Sequence, residues 1–442
     1  MRLLYILPEY LPQKGGGIIT FYRHLLPAIA AQGHHVEVHV GSAFTQGEVE
    51  AEIESARVRF LPERSFRAMI PRFEAFAAVP EIQRHLAAAR ALWEMAEGGR
   101  SFDVVETTDW GLLFLPWVAE AGSPPTVVQL HGSIGQIAAR DPLRGQELAG
   151  WVARLLEGAG LPAASELQGS SRVNAAEWGV RLGRDARVIL PAWGPAEPYS
   201  EVPRGERGLV VARVQRWKGP EVLCAALEEL GAAGPTIDWV GRDTVDGETG
   251  GSYAAALAKR FPASWGRRVC PIGPRDFAAT DALRRQAPFA VVPSTWDIFN
   301  FTVVEAMAAG LPVVCSDAVG ACELVEDGVN GFTFPGGDSH ALAGRLARVA
   351  ALAEDERREM GAAARETVRR RLDPTAIARA RLERYANVAA GGGTGEPAKP
   401  WLAEAVAPGG SLSDPLAFLH HLPLRGLLHH AARRVRTKLG GR

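Results

Sequence analysis

The sequence predicts an α/β protein built from two doubly wound domains, each a parallel sheet with helices on both faces. Three observations predict it. Short apolar runs that read as buried strands alternate with amphipathic helical patterns along most of the chain. The alternation stops once, in the Pro-, Gly- and charge-rich stretch 191–208, and then restarts. A length of 442 residues, 47% of them hydrophobic, exceeds one ordinary core and can supply two.

The first half opens with an apolar strand, Arg2 to Leu7, a loop holding Gly15, Gly16 and Gly17, and a helix whose apolar face is Ile18, Phe21, Tyr22, Leu25, Leu26 and Ile29. Val36, Val38 and Val40 alternate as a second strand, and further strands are expected at 103–106, 126–130 and 187–190. Segments 50–100 and 133–165 are Ala- and Arg-rich and read as helical, without recognisable chemistry. After the break, strands are expected at 209–213, 237–240, 269–272, 289–292 and 313–316, with helices such as 220–230 and 276–286 between them. The domains are therefore expected at 1–195 and 208–373.

Composition excludes several classes of function. A formal charge of -1 and a pI near 6.9 lack the basic excess of a general nucleic-acid binder. The four cysteines, Cys224, Cys270, Cys315 and Cys322, have no paired spacing and read as small buried hydrophobes in a reducing compartment. The apolar stretch Leu3 to Leu7 is cut short by Pro8 and Glu9, and no run approaches a membrane-spanning length. A cytoplasmic protein, with room for peripheral contact at the inner membrane face, is the expectation.

The chemistry concentrates in Trp296 to Pro312, where Asp297 and Glu305 are separated by seven residues across the start of a helix read as Thr302 to Ala309. In an open α/β sheet ligands sit outside the carboxyl ends of strands, near helix N-termini with unpaired backbone N–H groups. Asp297, the amides of Phe299, Asn300, Phe301 and Thr302, and Glu305 are then expected to converge. The bland alternative is a capping box, with Thr302 and Glu305 satisfying the helix N-terminus. A second motif, Val211 to Gly219, puts Arg213 at a strand end and Lys218 just before a helix begun by Pro220, two cations suited to adjacent phosphates. Gly16 and Gly17 lie where a backbone approaches a phosphate, although no GxGxxG pattern, Walker A sequence or acid at the end of strand two accompanies them. His131 ends a buried strand.

These motifs resemble those of the family-4 retaining glycosyltransferases, which use nucleotide sugars and have the GT-B fold, two Rossmann-like domains facing across a cleft. The resemblance covers roughly residues 1–390 and departs at two points: Asp297 stands where the family usually has Glu, and Asn300 where Gly is common. It implies that Asp297 faces the donor sugar, that Glu305 holds the ribose, that Arg213, Lys218, Gly16 and Gly17 meet the diphosphate, and that His131 reaches the donor sugar. Asp109 and Trp110 match acceptor-side positions more loosely, and Glu9 and Tyr10, which follow strand one, are expected to line the same side. The helix at 374–390 matches the one that crosses back to the first domain, leaving 391–442 as linker and tail.

No D-x-D pair or metal-ligand spacing occurs in the sequence, so no metal and no cofactor beyond the nucleotide-sugar co-substrate is expected. The tail from Leu424 to Leu439 shows apolar residues at helical spacing beside Arg433, Arg434, Arg436 and Lys438. It fits a helix on an anionic membrane, a helix docked on the protein, or a disordered end. The expected function is transfer of a sugar from a nucleoside diphosphate to a hydroxyl acceptor, lipid-linked acceptors included. The alternatives are a non-catalytic nucleotide-sugar sensor or scaffold, and a GT-B epimerase or phosphorylase.

Overall fold

The computed structural model describes residues 1–13, 16–141, 147–194 and 205–409, together with Leu424, Leu427, Leu428, Ala431, Ala432 and Val435 of the tail. The chain divides into two compact units: Met1–Gly169, Ala175–Ile189 and Thr375–Arg442 form one, Ser170–Asn174 and Leu190–Pro374 the other.

The first unit is built on eight strands: β1 Arg2–Leu7, β2 His35–Val40, β3 Glu50–Ile53, β4 Ala56–Phe60, β5 Val104–Thr108, β6 Thr126–Leu130, β7 Glu166–Gly169 and β8 Arg187–Val188. Their order is β3-β4-β2-β1-β5-β6-β7-β8, with β3 antiparallel to β4 and the other pairs parallel. The central strands are buried along nearly their whole length, β1 as a continuous apolar run and β5 and β6 with Glu106, Thr107, Thr108 and Gln129 buried among their valines. Helices such as Pro80–Met95 add Ile82, Leu86 and Leu92 to Leu4, Ile6, Val105 and Leu130 in the core.

Three strands of this unit depart from the sequence expectation. The hairpin β3–β4 lies in a stretch read as helical, because an exposed edge strand, Glu-Ala-Glu-Ile, carries no apolar signal. The strand β7, Glu-Leu-Gln-Gly, is buried yet polar, since Gln168 bonds Glu166 and Glu166 pairs with Arg384. Arg384 belongs to the helix Pro374–Asn387, which packs into this first unit. From the same helix the fully buried Arg381 donates to both oxygens of Glu106 at 2.9 and 2.7 Å and to Gln129. Tyr22 donates to Glu106 at 2.7 Å and Tyr385 also bonds it, so the buried charge pair is enclosed by hydroxyls.

The second unit holds six parallel strands, β9 Gly208–Val211, β10 Ile237–Val240, β11 Val269–Gly273, β12 Ala290–Val292, β13 Val313–Ser316 and β14 Gly331–Phe334, in the order β11-β10-β9-β12-β13-β14. One face packs Val210, Leu223, Trp239 and Phe332, the other Leu209, Val303, Met307 and Val313. Of the expected interdomain stretch, 195–204 lies outside the described residues and Gly208 already begins β9.

Strand order locates the ligand ends. In the first unit β1 lies between β2 and β5, so the winding reverses beside β1; in the second it reverses between β9 and β12. The crevice at such a reversal, outside the carboxyl ends of the strands, is where open α/β sheets hold ligands.

Candidate functional site

The loops after β9 and β12 carry the two sequence motifs, and strand order makes them neighbours. Gly219, with φ +74°, shows how tightly they meet: a Cβ there would stand 1.8 Å from the Pro293 carbonyl oxygen. Thr295 N–H also donates to the Trp217 carbonyl at 2.8 Å. On its other side the β12 loop is fixed by backbone bonds, Asp297 N–H to the Ala318 carbonyl at 3.1 Å, Gly320 N–H to Asp297 at 3.1 Å and Ala321 N–H to Phe299 at 2.7 Å. Ser171 Oγ donates to the Ile298 carbonyl at 2.7 Å. The residues from Asp297 to Phe299 are thus held in place by the scaffold before any ligand arrives.

On this frame Asp297 Oδ2 accepts from Lys218 Nζ at 2.5 Å and from Asn300 Nδ2 at 2.8 Å. Lys218 and Asp297 are about 16% and 15% exposed at their side chains, so they keep a face to solvent while sheltering each other. The sequence reading placed Lys218 as a cation aimed at phosphate; here it has a carboxylate partner. Asn300 takes a left-handed conformation, φ +74°, tolerable for Asn because of its short polar side chain. Its Oδ1 accepts from Thr302 N–H at 3.1 Å and from Thr302 Oγ1 at 2.5 Å. Asn300 therefore both caps the helix Phe301–Ala308 and braces Asp297.

This geometry overturns the capping-box alternative. The cap is Asn300, not Thr302, and Glu305 reaches sideways to Arg284 Nη2 at 2.5 Å rather than back to the helix start. The amides do not all stand open: Thr302 N–H is taken by the Asn300 side chain and Val303 N–H by the Asn300 carbonyl at 3.2 Å. Phe299 is a core residue, 4% exposed, packed edge-to-face on Phe301. Burial pushes the Glu305 carboxyl above the usual carboxylate range, while Arg284 pulls it back. Sequence reasoning missed Arg284. No sequence pattern marked it: Thr280 and Arg284 are the buried residues of the helix Phe277–Gln286 while its large apolar Phe277 is exposed, so the burial of a cation there shows only in the fold. Arg213 lies two residues past β9, its guanidinium 5.9 Å from the Trp217 ring, and Trp217 packs edge-on to Trp296 at 5.6 Å.

The first unit places its candidates differently. Gly16 precedes the helix Gly17–Ala30, and a Cβ on Gly16 would stand 2.0 Å from Glu9 Oε1. Glu9 fills the space a Cβ would take, so it is the backbone of Gly16 that remains for the phosphate contact expected from the sequence. Burial raises the Glu9 carboxyl, and a bond from the Ile19 amide lowers it. Gly15 lies outside the described residues. His131 packs edge-on to Phe21 at 4.8 Å and Tyr22 at 5.5 Å, and its Nε2 is enclosed without a partner among the described residues. Burial, helped by Arg381, lowers its pKa to about 3, so the imidazole is a neutral hydrogen-bonding group.

Two acceptor-side candidates are corrected by burial. Asp109 is fully buried and its carboxyl accepts from the amides of His131 at 2.7 Å and Gly132 at 3.3 Å, so it shapes the His131 loop instead of facing a ligand. Burial pushes it up to about 8 against the pull of those amides. Tyr10 is likewise enclosed, 0% exposed. Glu9 and Trp110 remain half-buried at the ends of β1 and β5.

Comparison with known proteins extends the geometry. The family model described as "Glycosyl transferase 4-like domain" matches residues 16–176, and "Glycosyl transferases group 1" matches 205–351. D-inositol 3-phosphate glycosyltransferase of Thermobifida fusca is 36% identical over 162 residues, 35% of this chain and 36% of that protein. The matched stretch spans under half the length of the curated relatives. Among solved structures, sucrose-phosphate synthase from Thermosynechococcus elongatus superposes with a TM-score of 0.67 at 21% identity, covering 88% of this chain and 100% of that one. Anabaena HepE in complex with UDP-glucose gives 0.62 at 20% identity, with 88% and 100% covered. At such identities the likeness carries the fold, two Rossmann-like domains of the GT-B class. The two family matches together take in most of both units, with Gly16, Gly17, His131, Arg213, Lys218, Asp297 and Glu305 among the matched residues, and the chain belongs to the glycosyltransferases described by these two models.

Proposed function

We propose that the protein transfers a hexose-type sugar from a nucleoside diphosphate to a hydroxyl acceptor, with retention at the anomeric carbon. One observation carries the reading: the cation and the acid of two separate motifs, Lys218 and Asp297, meet at 2.5 Å at the point where the second sheet reverses its winding. A nucleotide sugar presents phosphates to Lys218 and Arg213 and hydroxyls to Asp297, so it replaces one ion pair by two matched contacts. Glu305, held by Arg284, is assigned to the ribose, and Gly16, Gly17 and His131 to the donor by family resemblance. HepE, crystallised with UDP-glucose, illustrates the donor class on the same fold.

The transfer needs little from a base. The acceptor hydroxyl attacks on the face the diphosphate is leaving, the anomeric C–O bond to phosphate breaks, and the departing phosphate oxygen takes the hydroxyl proton. The protein positions the reactants and stabilises the leaving charge through Arg213 and Lys218, without a metal.

The acceptor reading extends to the tail. Leu424, Leu428 and Val435 are exposed helical positions on one face, while Leu427 packs at the edge of the first unit's core. Arg433, Arg434, Arg436 and Lys438 accompany them in sequence but lie outside the described residues. A cytoplasmic enzyme resting on an anionic membrane, with a lipid-linked acceptor, fits this pairing. Among the described residues no helix is long and apolar enough to cross a membrane.

The test is a thermal-shift panel of nucleotide sugars followed by turnover of the best stabiliser. A donor at about 100 times its Kd should add about 2.7 kcal/mol of stability. A panel with no stabilising nucleotide sugar would remove the reading; stabilisation without transfer to any hydroxyl acceptor would favour a sensor.

A further inference from the structure

Arg284 is 4% exposed and sits where no motif asked for a cation. Its Nη2 donates to Glu305 at 2.5 Å and its Nη1 to Asp281 at 3.2 Å, and Asp281 also accepts from Arg285 Nε at 2.7 Å. With Val211, Val292 and Thr302 it lines a narrow gap beside β9 and β12, the two strands between which the winding reverses. A guanidinium removed from water persists only against paired acceptors, and here its two terminal nitrogens divide between two carboxylates. Glu305 is therefore tethered from one side through Oε2.

We propose that Arg284 is a positioning residue for nucleoside recognition: it tethers Glu305 so that the carboxylate accepts from the two ribose hydroxyls of a nucleoside diphosphate. The inference rests on the assignment of Glu305 to the ribose. The charged groups acting on Glu305 are Arg284 and Asp281, both from the helix Phe277–Gln286. Burial and Asp281 raise the Glu305 carboxyl and Arg284 lowers it, so losing Arg284 leaves the upward influences unopposed. The carboxyl would then stay protonated to higher pH and lose its capacity to accept from two hydroxyls at once. Because a raised acid recovers its charge as pH rises, the ribose contact should return toward alkaline pH.

The experiment uses the full chain. UDP, ADP and GDP are titrated by calorimetry, and the tightest binder is carried forward beside its 2′,3′-dideoxy analogue, between about pH 6 and pH 9, above the ordinary carboxylate value of about 4.3. Wild type should prefer the ribose form by about tenfold or more throughout, the scale of one charge-assisted hydrogen bond. Glu305→Gln should lose that preference throughout. Arg284→Met should lose it near pH 6 and regain it toward pH 9; Arg284→Gln, which keeps a donor without the charge, should behave alike and serves if the methionine variant does not fold. A merely structural arginine would weaken ribose and dideoxy forms equally, without pH dependence. Wild-type preference near pH 6 in either Arg284 variant overturns the inference and leaves the ribose assignment standing. Undiminished preference in Glu305→Gln overturns that assignment, and a wild type that binds no nucleoside diphosphate overturns the proposed function.

Discussion

The ligand-facing ends of the two sheets are stabilised in opposite ways. In the second unit the polar groups sit on two loops that strand order makes neighbours, partly exposed, and the backbone holds them: Asp297 is fixed by bonds to the loop after β13, and its charge is answered by Lys218. In the first unit the polar groups lie beneath the surface and side chains hold them, with Glu106 enclosed by Arg381, Tyr22 and Tyr385. The difference separates readiness for a ligand from structural support. A partly exposed pair can exchange partners with an incoming diphosphate at small cost, whereas a fully buried pair cannot lose a member without leaving an uncompensated charge.

Substitutions that exchange these roles would break the comparison. The largest effect on stability is expected at Arg381→Met, which strands the Glu106 carboxylate and should cost the first unit about 3–5 kcal/mol. Chemical denaturation followed by hydrogen exchange in each unit measures it, and loss concentrated in the second unit would contradict the assignment. Next is Lys218→Ala, which should lower turnover by roughly a hundredfold, the scale of one preorganised stabilising group, with little change in folding. Steady-state kinetics beside a melting curve separates the two, and chelator should change neither enzyme.

Acid should sharpen the contrast further. Burial lowers the His85 pKa to about 4, helped by Arg84. A base whose folded pKa is depressed loses stability as pH falls below its unfolded value of about 6.5, here down to about 4. Relative to His85→Gln, wild type should lose stability in that window by on the order of 1.4 kcal/mol per pH unit, read from denaturation midpoints. Parallel pH profiles for the two proteins would show that His85 is not neutral in the folded state.

The smallest effect on the soluble protein is expected from the tail. The cut belongs after Gly409, because Leu402, Ala405 and Val406 of the helix Pro400–Val406 are buried in the first unit's core. Chains ending there should keep nucleotide binding and turnover on a soluble acceptor, yet sediment less with anionic vesicles. Equal sedimentation would leave the helix a role on the protein alone.

The legible part of this molecule was the part in which neighbours in sequence are neighbours in space. The strand–loop–helix units around Arg213, Lys218, Asp297 and Glu305 were readable because apolar strands, glycine and proline stops mark their ends. The meeting of Lys218 with Asp297 was not, since 79 residues separate them and no periodicity records a pairing. Asn300 looked like a departure from a glycine and proves to be a cap and a brace, two roles that need the left-handed backbone as well as the side chain. In the first unit Asp109, expected at the acceptor side from a loose family match, and Tyr10, expected there because it follows strand one, are both enclosed, because position does not fix which way a loop residue turns. The strands β3 and β7 escaped notice because one is an exposed edge and the other hides a paired acid.

The central claim is that Asp297 contacts the donor sugar while Lys218 and Arg213 contact its diphosphate. Calorimetric titration of wild type and Asp297→Asn with the same nucleotide sugar and its parent nucleoside diphosphate tests it most directly. The account predicts that Asn at this position weakens the nucleotide sugar by about tenfold while the diphosphate alone binds nearly as in wild type, since only the sugar makes the lost charge-assisted contact. Equal weakening of both ligands, or of neither, would contradict it.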